Sequence, residues 1–528
     1  MAAGCSPPAS PIFQSGGGIS PDLDPALSRR YPPTGLARFI QGVAMYDLVI
    51  IGAGAAGSSL FIHLMAQEIQ NSIHDIAFLD STGLGNGIAF NREERFILCN
   101  TSVGVNSLFA ADPTHFLVWL RENQELCRTW GVDTATLTLS SFVPRGLFKT
   151  YLQAFLTQAR TRARALGISL HHIPAKARRV ERTGDGYVIL DDREEQLIAR
   201  SVAVCTGLSL PNAPLPGRVM GAGFAQSPYD ITSYDEFLGD CASVLIIGSR
   251  QGAIDAALLV AQARPGCSVV MMSRSGCFPS VRSEMVEQET RCFTTARLRA
   301  ALSQSPQEFA RTYGRLLREE LYAVSGPERA HSLLEELLRV DPCPTVQLGR
   351  DLEATIEGGG GWEQIDRGII TVTNQLWPEL ALPQRREIRH TFGPIIRRFV
   401  SAIPAINARK ILALHAEGRL RVVRGPARCS TYRGQWVFED SEGQRHTPDR
   451  VINASGFMVS RGGAPLTIAS TPLGDFSEQI DPFTFSVRQS DSSRLFFLGP
   501  PLGEALAVTN YMNSTARQAA RVARLFAS

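Results

Sequence analysis

Tyr46-Asp47-Leu48-Val49-Ile50-Ile51 runs directly into Gly52-Ala53-Gly54-Ala55-Ala56-Gly57 and on into Ser59-Leu60-Phe61-Ile62-His63-Leu64. The first block has the near-continuous apolar run of a strand covered on both faces. The glycines bend the chain, and the third block has the composition of a buried helix. A strand that turns this tightly into a helix aims unpaired helix N–H groups past its own carboxyl end, and glycine lets an anion approach the backbone there. Gly52 makes the bend, Gly54 leaves room for a pyrophosphate, and Gly57 lets helix and strand pack, with Ala55 and Ala56 opening the helix. A second strand, Ile76-Ala77-Phe78-Leu79, ends at Asp80, where a carboxylate is placed to hold a ribose hydroxyl. This stretch predicts a dinucleotide-binding domain.

A second turn of the same kind follows, far enough along the chain for most of one such domain to be complete. Val244-Leu245-Ile246-Ile247 runs into Gly248-Ser249-Arg250-Gln251-Gly252-Ala253. Arg250 stands where the second glycine normally makes room for phosphate, so its guanidinium either caps the phosphates or plugs the site. The next strand, Ser268-Val269-Val270-Met271-Met272, ends in Ser273-Arg274-Ser275-Gly276. An arginine there suits the 2′-phosphate of NADPH, whereas NADH favours a carboxylate. Two turns predict two dinucleotides, and FAD with NAD(P)H is the commonest pair. The expected fold class is α/β, with two Rossmann-like dinucleotide-binding domains and a helical insertion.

The remaining chain is divided by composition. Residues 1–44, rich in Pro, Gly, Ser and Ala, read as a disordered N-terminal extension. Residues 45–240 plus 404–528 are assigned to a discontinuous FAD domain and 241–280 to the core of an inserted NAD(P)H domain. Residues 281–403 are charged, with apolar positions at helical spacing over 305–324, 327–340 and 383–400, and are read as a helical insertion over the active site. Helices are also expected over 113–125 and 147–165. The glycine-dense Gly83-Leu84-Gly85-Asn86-Gly87 suggests backbone passing close to the flavin. Strand-plus-glycine signatures end at Gly207 and Gly456. Leu495-Phe496-Phe497-Leu498-Gly499-Pro500 leads to a helix, Ser514 to Phe526, whose N-terminus is expected under the flavin ring.

Composition excludes several classes. A net charge of +3 makes no case for nucleic-acid binding, and the basic residues are arginines apart from Lys149, Lys176 and Lys410. No apolar run is long enough to span a bilayer. The cysteines are scattered with no Cys-x-x-Cys pair, which removes a dithiol active site and any zinc-ligand spacing and fits a reducing cytoplasm.

The chain resembles the two-dinucleotide FAD/NAD(P)-binding flavoproteins that include the nitrosuccinate-forming aspartate N-monooxygenases of natural-product pathways. The resemblance rests on Val49-Ile50-Ile51-Gly52-Ala53-Gly54-Ala55-Ala56-Gly57, Gly85-Asn86-Gly87-Ile88-Ala89-Phe90 and Leu98-Cys99-Asn100. It extends to Val143-Pro144-Arg145 with Tyr151, Ser273-Arg274-Ser275-Gly276, Asn453-Ala454-Ser455-Gly456 and Arg517-Gln518-Ala519-Ala520. Departures are Arg250 and the run Asn510-Tyr511-Met512-Asn513, where a more acidic, tryptophan-containing stretch is expected. What the resemblance implies is an NADPH-dependent flavin monooxygenase that N-hydroxylates a primary amine through a flavin hydroperoxide. Molecular oxygen is the second substrate, and homodimerisation is left open. The candidate cofactor residues are those of the two turns with Asp80, Gly85, Asn100, Arg145, Gly456, Gly499, Ser273 and Arg274. An amino-acid substrate needs a carboxylate anchor, for which Arg282, Arg397 and Arg409 are candidates, and Asn510 is a further candidate at the substrate site; no metal is expected. Two other classes stand beside this one. The first is a flavoprotein reduced by NAD(P)H or by its substrate that does not insert oxygen. The second is a non-catalytic FAD-binding partner protein that has lost its nicotinamide site through Arg250.

Overall fold

The computed structural model describes residues 39–40, 43–69, 72–184, 186–208, 210–211, 223–285, 289–338, 341, 343–357, 361–426, 428–432, 435–458, 466–476, 479–488, 494–509 and 511–527. Most of the expected N-terminal extension lies outside these.

The first domain opens on β1 (Val43–Ile51), whose last four residues are fully buried, and turns through the glycines into α1 (Ala55–Met65) and β2 (Asp75–Leu79). β1 and β2 pair in parallel, Leu48 opposite Ile76, so the chain between them must cross over, and α1 is that crossover. α1 is buried from Ala56 to Met65, the signature of a helix covered on both sides. Next come α2 (Arg145–Ala165), β3 (Ser169–Ile173), an antiparallel hairpin of β4 (Ala177–Thr183) and β5 (Gly186–Asp191), and β6 (Gln196–Val204). β6 returns beside β1 in parallel. The helix expected over 113–125 is two helices, His115–Glu122 and Gln124–Thr129, broken at Asn123.

The second domain contains β7 (Phe224–Ala225), β8 (Ser243–Ile247), α3 (Gln251–Ala263) and β9 (Ser268–Ser273). β10 (Val281–Arg282) then leads out into the helical insertion: α4 (Thr295–Gln304), α5 (Phe309–Ser325), α6 (Pro327–Leu338), α7 (Pro344–Ile356), α8 (Gly361–Leu376) and α9 (Leu382–Ile395). The insertion has its own apolar core around Phe293, Phe309, Tyr313, Trp377 and Phe392. Pro394 removes an amide from the last turn of α9, and the helix widens into a π segment, Ile396–Val400. β11 (Ile403–Pro404) pairs with β10, so the insertion leaves and re-enters through one two-stranded neck. α10 (Ala405–Ala416), β12 (Leu420–Arg424), a meander of β13 (Arg428–Tyr432), β14 (Gln435–Glu439) and β15 (Arg445–His446), and β16 (Arg450–Asn453) complete this domain. Its sheet order is β12-β9-β8-β16-β7, parallel throughout.

This topology corrects the domain division read from the sequence. β12 and β16 belong to the second sheet, so the stretch 404–453 expected in the FAD domain lies in the other one. The strand-plus-glycine pattern ending at Gly456 is common to both sheets and does not say which one it joins. The chain rejoins the first domain at β17 (Thr467–Ile468) and β18 (Thr471–Pro472), on the β4 edge. It ends with β19 (Leu495–Phe497) beside β6 and α11 (Met512–Ala527) packed on α1. The first sheet runs β18-β17-β4-β5-β6-β1-β2-β3, with β19 added on β6. No described helix is long and apolar enough to cross a membrane.

His63 on α1 is buried and bonds through Nε2 to the Leu108 carbonyl at 3.1 Å. Burial pushes its pKa down to about 4 from 6.5. As pH falls through 6.5 the unfolded chain takes up a proton that the native state refuses until about 4. The stability tied to this group is therefore complete above pH 6.5 and is lost on acidification, by as much as about 3 kcal/mol. His63→Leu should flatten that part of the profile, giving a shallower fall of Tm between pH 6.5 and 4.5 than in the wild-type protein.

Candidate active site

At Gly52 φ is +94°, and a Cβ there would lie 2.6 Å from the Cys205 carbonyl oxygen of the neighbouring strand end. A Cβ at Gly57 would lie 2.0 Å from the Gly52 carbonyl oxygen. Strand, turn and helix thus touch through backbone, and no side chain fits between them. Gly54 caps α1 in an extended conformation, and its Cβ would meet Gly87 Cα at 3.2 Å. The Gly83–Gly87 loop therefore lies against the turn, tied by the Gly85 N–H donating to the Ala53 carbonyl at 2.8 Å. The first amides of α1, at Ala55, Ala56 and Gly57, have no helical carbonyl behind them. Asp80 braces the same loop: Oδ2 accepts from Ala53 N at 2.8 Å, and Oδ1 from Thr82 and Gly83. A carboxylate oxygen has two acceptor positions, so Oδ2 retains one for a hydroxyl.

Further segments close on this cradle. Gly499, at φ +71°, faces Ala56, and its N–H donates to the Gln518 side chain on α11 at 2.7 Å. Asn513, on the first turn of α11, donates its N–H to the Val105 carbonyl at 3.1 Å. Asn100 Oδ1 and Thr206 Oγ1 are buried without a hydrogen-bond partner among the described residues. Such orphans ask for a polar occupant. The insertion lies over the segment leading into α11: Asn374 exchanges two hydrogen bonds with the Val508 backbone, and Arg389 donates to the Gly503 and Leu506 carbonyls. The cradle and its orphaned acceptors fit a dinucleotide. Thr206 was not singled out from the sequence, and Gln518 entered only within the C-terminal run of the resemblance, because their roles come from strands and helices brought together only by folding.

The second turn repeats the first with one substitution. Gly248 has φ +133°, and its Cβ would lie 2.3 Å from the Ala454 carbonyl oxygen at the end of β16. Arg250 caps α3 with φ −104° and ψ −168°, close to the −67° and −161° of Gly54. That backbone is open to any residue, and Arg250 is exposed, so its presence does not distort the turn. Ser249 and Ser273 bond to each other at 2.9 Å, and Ser249 also donates to the Cys277 carbonyl. These hydroxyls, expected on the cofactor, tie the turn to the loop after β9. Arg274 is exposed at the end of β9, and Arg424 from the adjacent strand donates to its carbonyl at 3.2 Å. Gln251 Oε1, on the first residue of α3, is another buried orphan. Gly456, at φ +101°, follows β16 beside this second turn, not the first as expected.

Arg145 is the clearest departure. Expected on the cofactor, it is buried, with Nη2 2.7 Å from Asp255 Oδ2 on α3, Nε donating to the Leu98 carbonyl, and Nη1 at 3.3 Å from the Tyr229 hydroxyl. Tyr229 donates to Asp255 at 2.9 Å, as does the Gln251 amide. Burial by itself lowers the Arg145 pKa, but Asp255 and Tyr229 more than offset it and hold the guanidinium charged. Arg145 thus joins the first domain to the second, bonding to Leu98, two residues from Asn100, on one side and to Asp255, one helical turn from Gln251, on the other. Sequence reading missed Asp255, a carboxylate within an apolar helix, which is the available signal for a buried partner.

The proposed substrate anchors are scattered. Arg282 is buried at the neck, where Nη2 donates at 2.8 Å to the Phe399 and Val400 carbonyls of the π segment and Nη1 lies 3.4 Å from Asp366. Its Nε is buried and has no hydrogen-bond partner among the described residues. Arg409 is exposed on α10, a helix packed on α3 and α7, away from the cover's contact with 503–508. The side chain of Arg397 and all of Asn510 lie outside the described residues.

Two substitutions test this geometry. Gly54→Ala needs a few tenths of an ångström from Gly87, so the chain should fold while FAD binds at least about tenfold more weakly by titration of the apoprotein, the worth of about 1.4 kcal/mol. Asp255→Asn leaves Arg145 buried without its counter-charge and should cost about 3–5 kcal/mol in denaturant unfolding. Adding Arg145→Met should recover a large part of that loss.

Residues 49–209 match the model of the FAD-NAD(P)-binding family. No curated protein matches the sequence. Among solved structures, an ornithine hydroxylase from Pseudomonas aeruginosa aligns over 92% of this chain and 99% of its own, with a TM-score of 0.55 and 13% identity. The L-lysine 6-monooxygenase from Pseudomonas syringae aligns over 91% and 99%, with a TM-score of 0.54 and 12% identity. An ornithine N-hydroxylase from Kutzneria sp. 744, solved with reduced FAD, NADP+ and L-ornithine, aligns over 91% and 99%, with a TM-score of 0.50 and 12% identity. At such identities the likeness is one of architecture: the chain has the two-dinucleotide fold of the flavoprotein monooxygenases.

Proposed function

We propose that the protein is an FAD-dependent monooxygenase that oxidises NADPH and hydroxylates the nitrogen of a primary amine on an amino-acid-like substrate. The observation that carries the reading is the pairing of two glycine turns across one buried ion pair, Arg145–Asp255, beneath a helical cover. FAD would lie on Gly52, Gly54 and the first amides of α1, with Asp80 toward its ribose and Asn100, Thr206 and Gly499 around it. NADPH would lie on Gly248 and the N-terminus of α3, with Gln251 beside it and Arg274 and Arg424 toward the 2′-phosphate. Bound FAD supplies the electron relay and the activation of oxygen. The chain's own task is positional. The ion pair sets the two turns relative to each other, and the insertion, anchored on 503–508 through Asn374 and Arg389, excludes water. The amine must be neutral to react, so the reacting position must offer it no carboxylate. Amine N-hydroxylation is supported by the ornithine and lysine hydroxylases among the structures that share the fold.

Anaerobic mixing with NADPH should bleach the flavin absorbance. Readmitting oxygen with a panel of amines should then give an amine product heavier by one oxygen, matched to NADPH consumed. Hydrogen peroxide alone with every amine would favour an oxidoreductase that does not insert oxygen, and no bleaching would mean that the second turn holds no nicotinamide. Arg274→Ala should raise the KM for NADPH about tenfold, the value of one charge-assisted hydrogen bond, and leave that for NADH unchanged.

A further inference from the structure

Cys241 and Cys267 stand 26 positions apart in the chain, and in the fold their sulfurs lie 3.8 Å from each other. Both are free thiols. The approach follows from the parallel pairing of β8 and β9, in which Ser243 lies opposite Ser268. Cys267 immediately precedes β9, and Cys241 precedes β8 by two residues. Cys267 belongs to the apolar core that includes α3, and Cys241 packs against the same core. The backbone holds each of them in place. The Cys241 N–H donates to the Leu238 carbonyl at 3.1 Å, and the Cys267 N–H to the Arg264 carbonyl at 3.0 Å. Asp449 accepts from the Ala242 and Ser243 N–H groups, each at 2.9 Å, which fixes the chain just after Cys241. Asp240 pairs with Arg264, so the residues on the near side of both cysteines are tied as well. Cys267 is buried and Cys241 half-buried, which leaves one member of the pair within reach of a small solute.

A disulfide of about 2.05 Å asks the two sulfurs to close by roughly 2 Å, and paired strand ends leave that motion to the side chains. We propose that Cys241 and Cys267 form an oxidative modification site, at which hydrogen peroxide converts the two thiols into a disulfide that staples β8 to β9. The Cys241 sulfur, nearer to solvent, attacks one peroxide oxygen. The O–O bond breaks, Cys241 becomes a sulfenic acid, and its thiol proton leaves with the other oxygen as water. The Cys267 sulfur then attacks Cys241 Sγ, the S–O bond breaks, and the Cys267 proton leaves with the departing hydroxide as a second water. The thiols lose two electrons, and the peroxide gains them. Burial, with Cys241 adding to it, pushes the Cys267 thiol up to about 12, so Cys267 keeps its proton until the second step. The oxidation needs only peroxide and does not rest on the hydroxylation proposed above. The staple joins the amino ends of β8 and β9, whereas Gly248 and Ser273 lie at their carboxyl ends. It therefore restrains the unfolded second domain and leaves the glycine turn untouched.

The test takes the full chain, first reduced with dithiothreitol and freed of it, and adds a small excess of hydrogen peroxide. Remaining thiols are alkylated and the peptides mapped by mass spectrometry. A peptide pair linked through Cys241 and Cys267, lighter by two hydrogens than its reduced halves, is the expected product. With it Tm should rise by about 5 °C, and dithiothreitol should reverse both changes. Cys241→Ser, at the half-buried position, should match the reduced wild-type protein in Tm and show neither the link nor the shift on adding peroxide. Cys267→Ala is the second variant and should lose both in the same way. The proposal is overturned if peroxide leaves both cysteines open to alkylation, or if either ends as a sulfinic acid without the link. It is equally overturned if Cys241 links to a different cysteine, or if the link forms and Tm does not rise. Neither readout involves NADPH or an amine, so this conclusion and the one on amine hydroxylation can fail separately.

Discussion

The arrangement of the two domains turns on a charge in an unfavourable place. Arg145 is the first residue of α2, and a cation at a helix N-terminus opposes the helix dipole. It is also buried, which adds a desolvation penalty of several kcal/mol for an unpaired ion. Asp255, fully buried on α3 in the other domain, removes both difficulties, and Tyr229 and the Leu98 carbonyl give Nη1 and Nε a partner each. A buried pair of this kind adds little net stability, but it penalises every other placement of α2 against α3. That is how the Leu98–Asn100 segment and the first turn of α3 come to be held at one separation.

The insertion is attached by a related device. A π segment leaves carbonyls without regular helical partners, and Arg282, sent out from the neck strand, takes those of Phe399 and Val400. Tyr511, one residue before α11, bonds to the same Val400 carbonyl. The cover is thus joined to the neck and to the C-terminal helix at one point, while Asn374 and Arg389 hold its far side. The arginine that looked like a substrate anchor is a structural clamp between the neck and the π segment.

Much of the site was legible in the chain. The Gly52–Gly57 turn, the Gly83–Gly87 loop and Gly499 could be placed near one another because glycine in those contexts has few other uses. Arg250 was ambiguous, since sequence cannot show that its backbone takes nearly the same extended cap as Gly54. Gly456 was assigned to the wrong sheet, because identical strand-plus-glycine patterns serve both. Arg145 and Arg282 were assigned to ligands, because a lone arginine carries no mark of whether its partner is a phosphate or a distant carboxylate.

By itself the sequence determined the local elements and the number of nucleotide-binding turns. Hydrophobic periodicity and backbone freedom act over a few residues and are written there directly. Only the tertiary structure decided which sheet receives 404–453, which carboxylate neutralises Arg145, and which polar atoms are left without partners. Those outcomes depend on desolvation and on contacts between residues as far apart as Arg145 and Asp255 or Arg282 and Val400, and such contacts exist only once the chain has closed on itself.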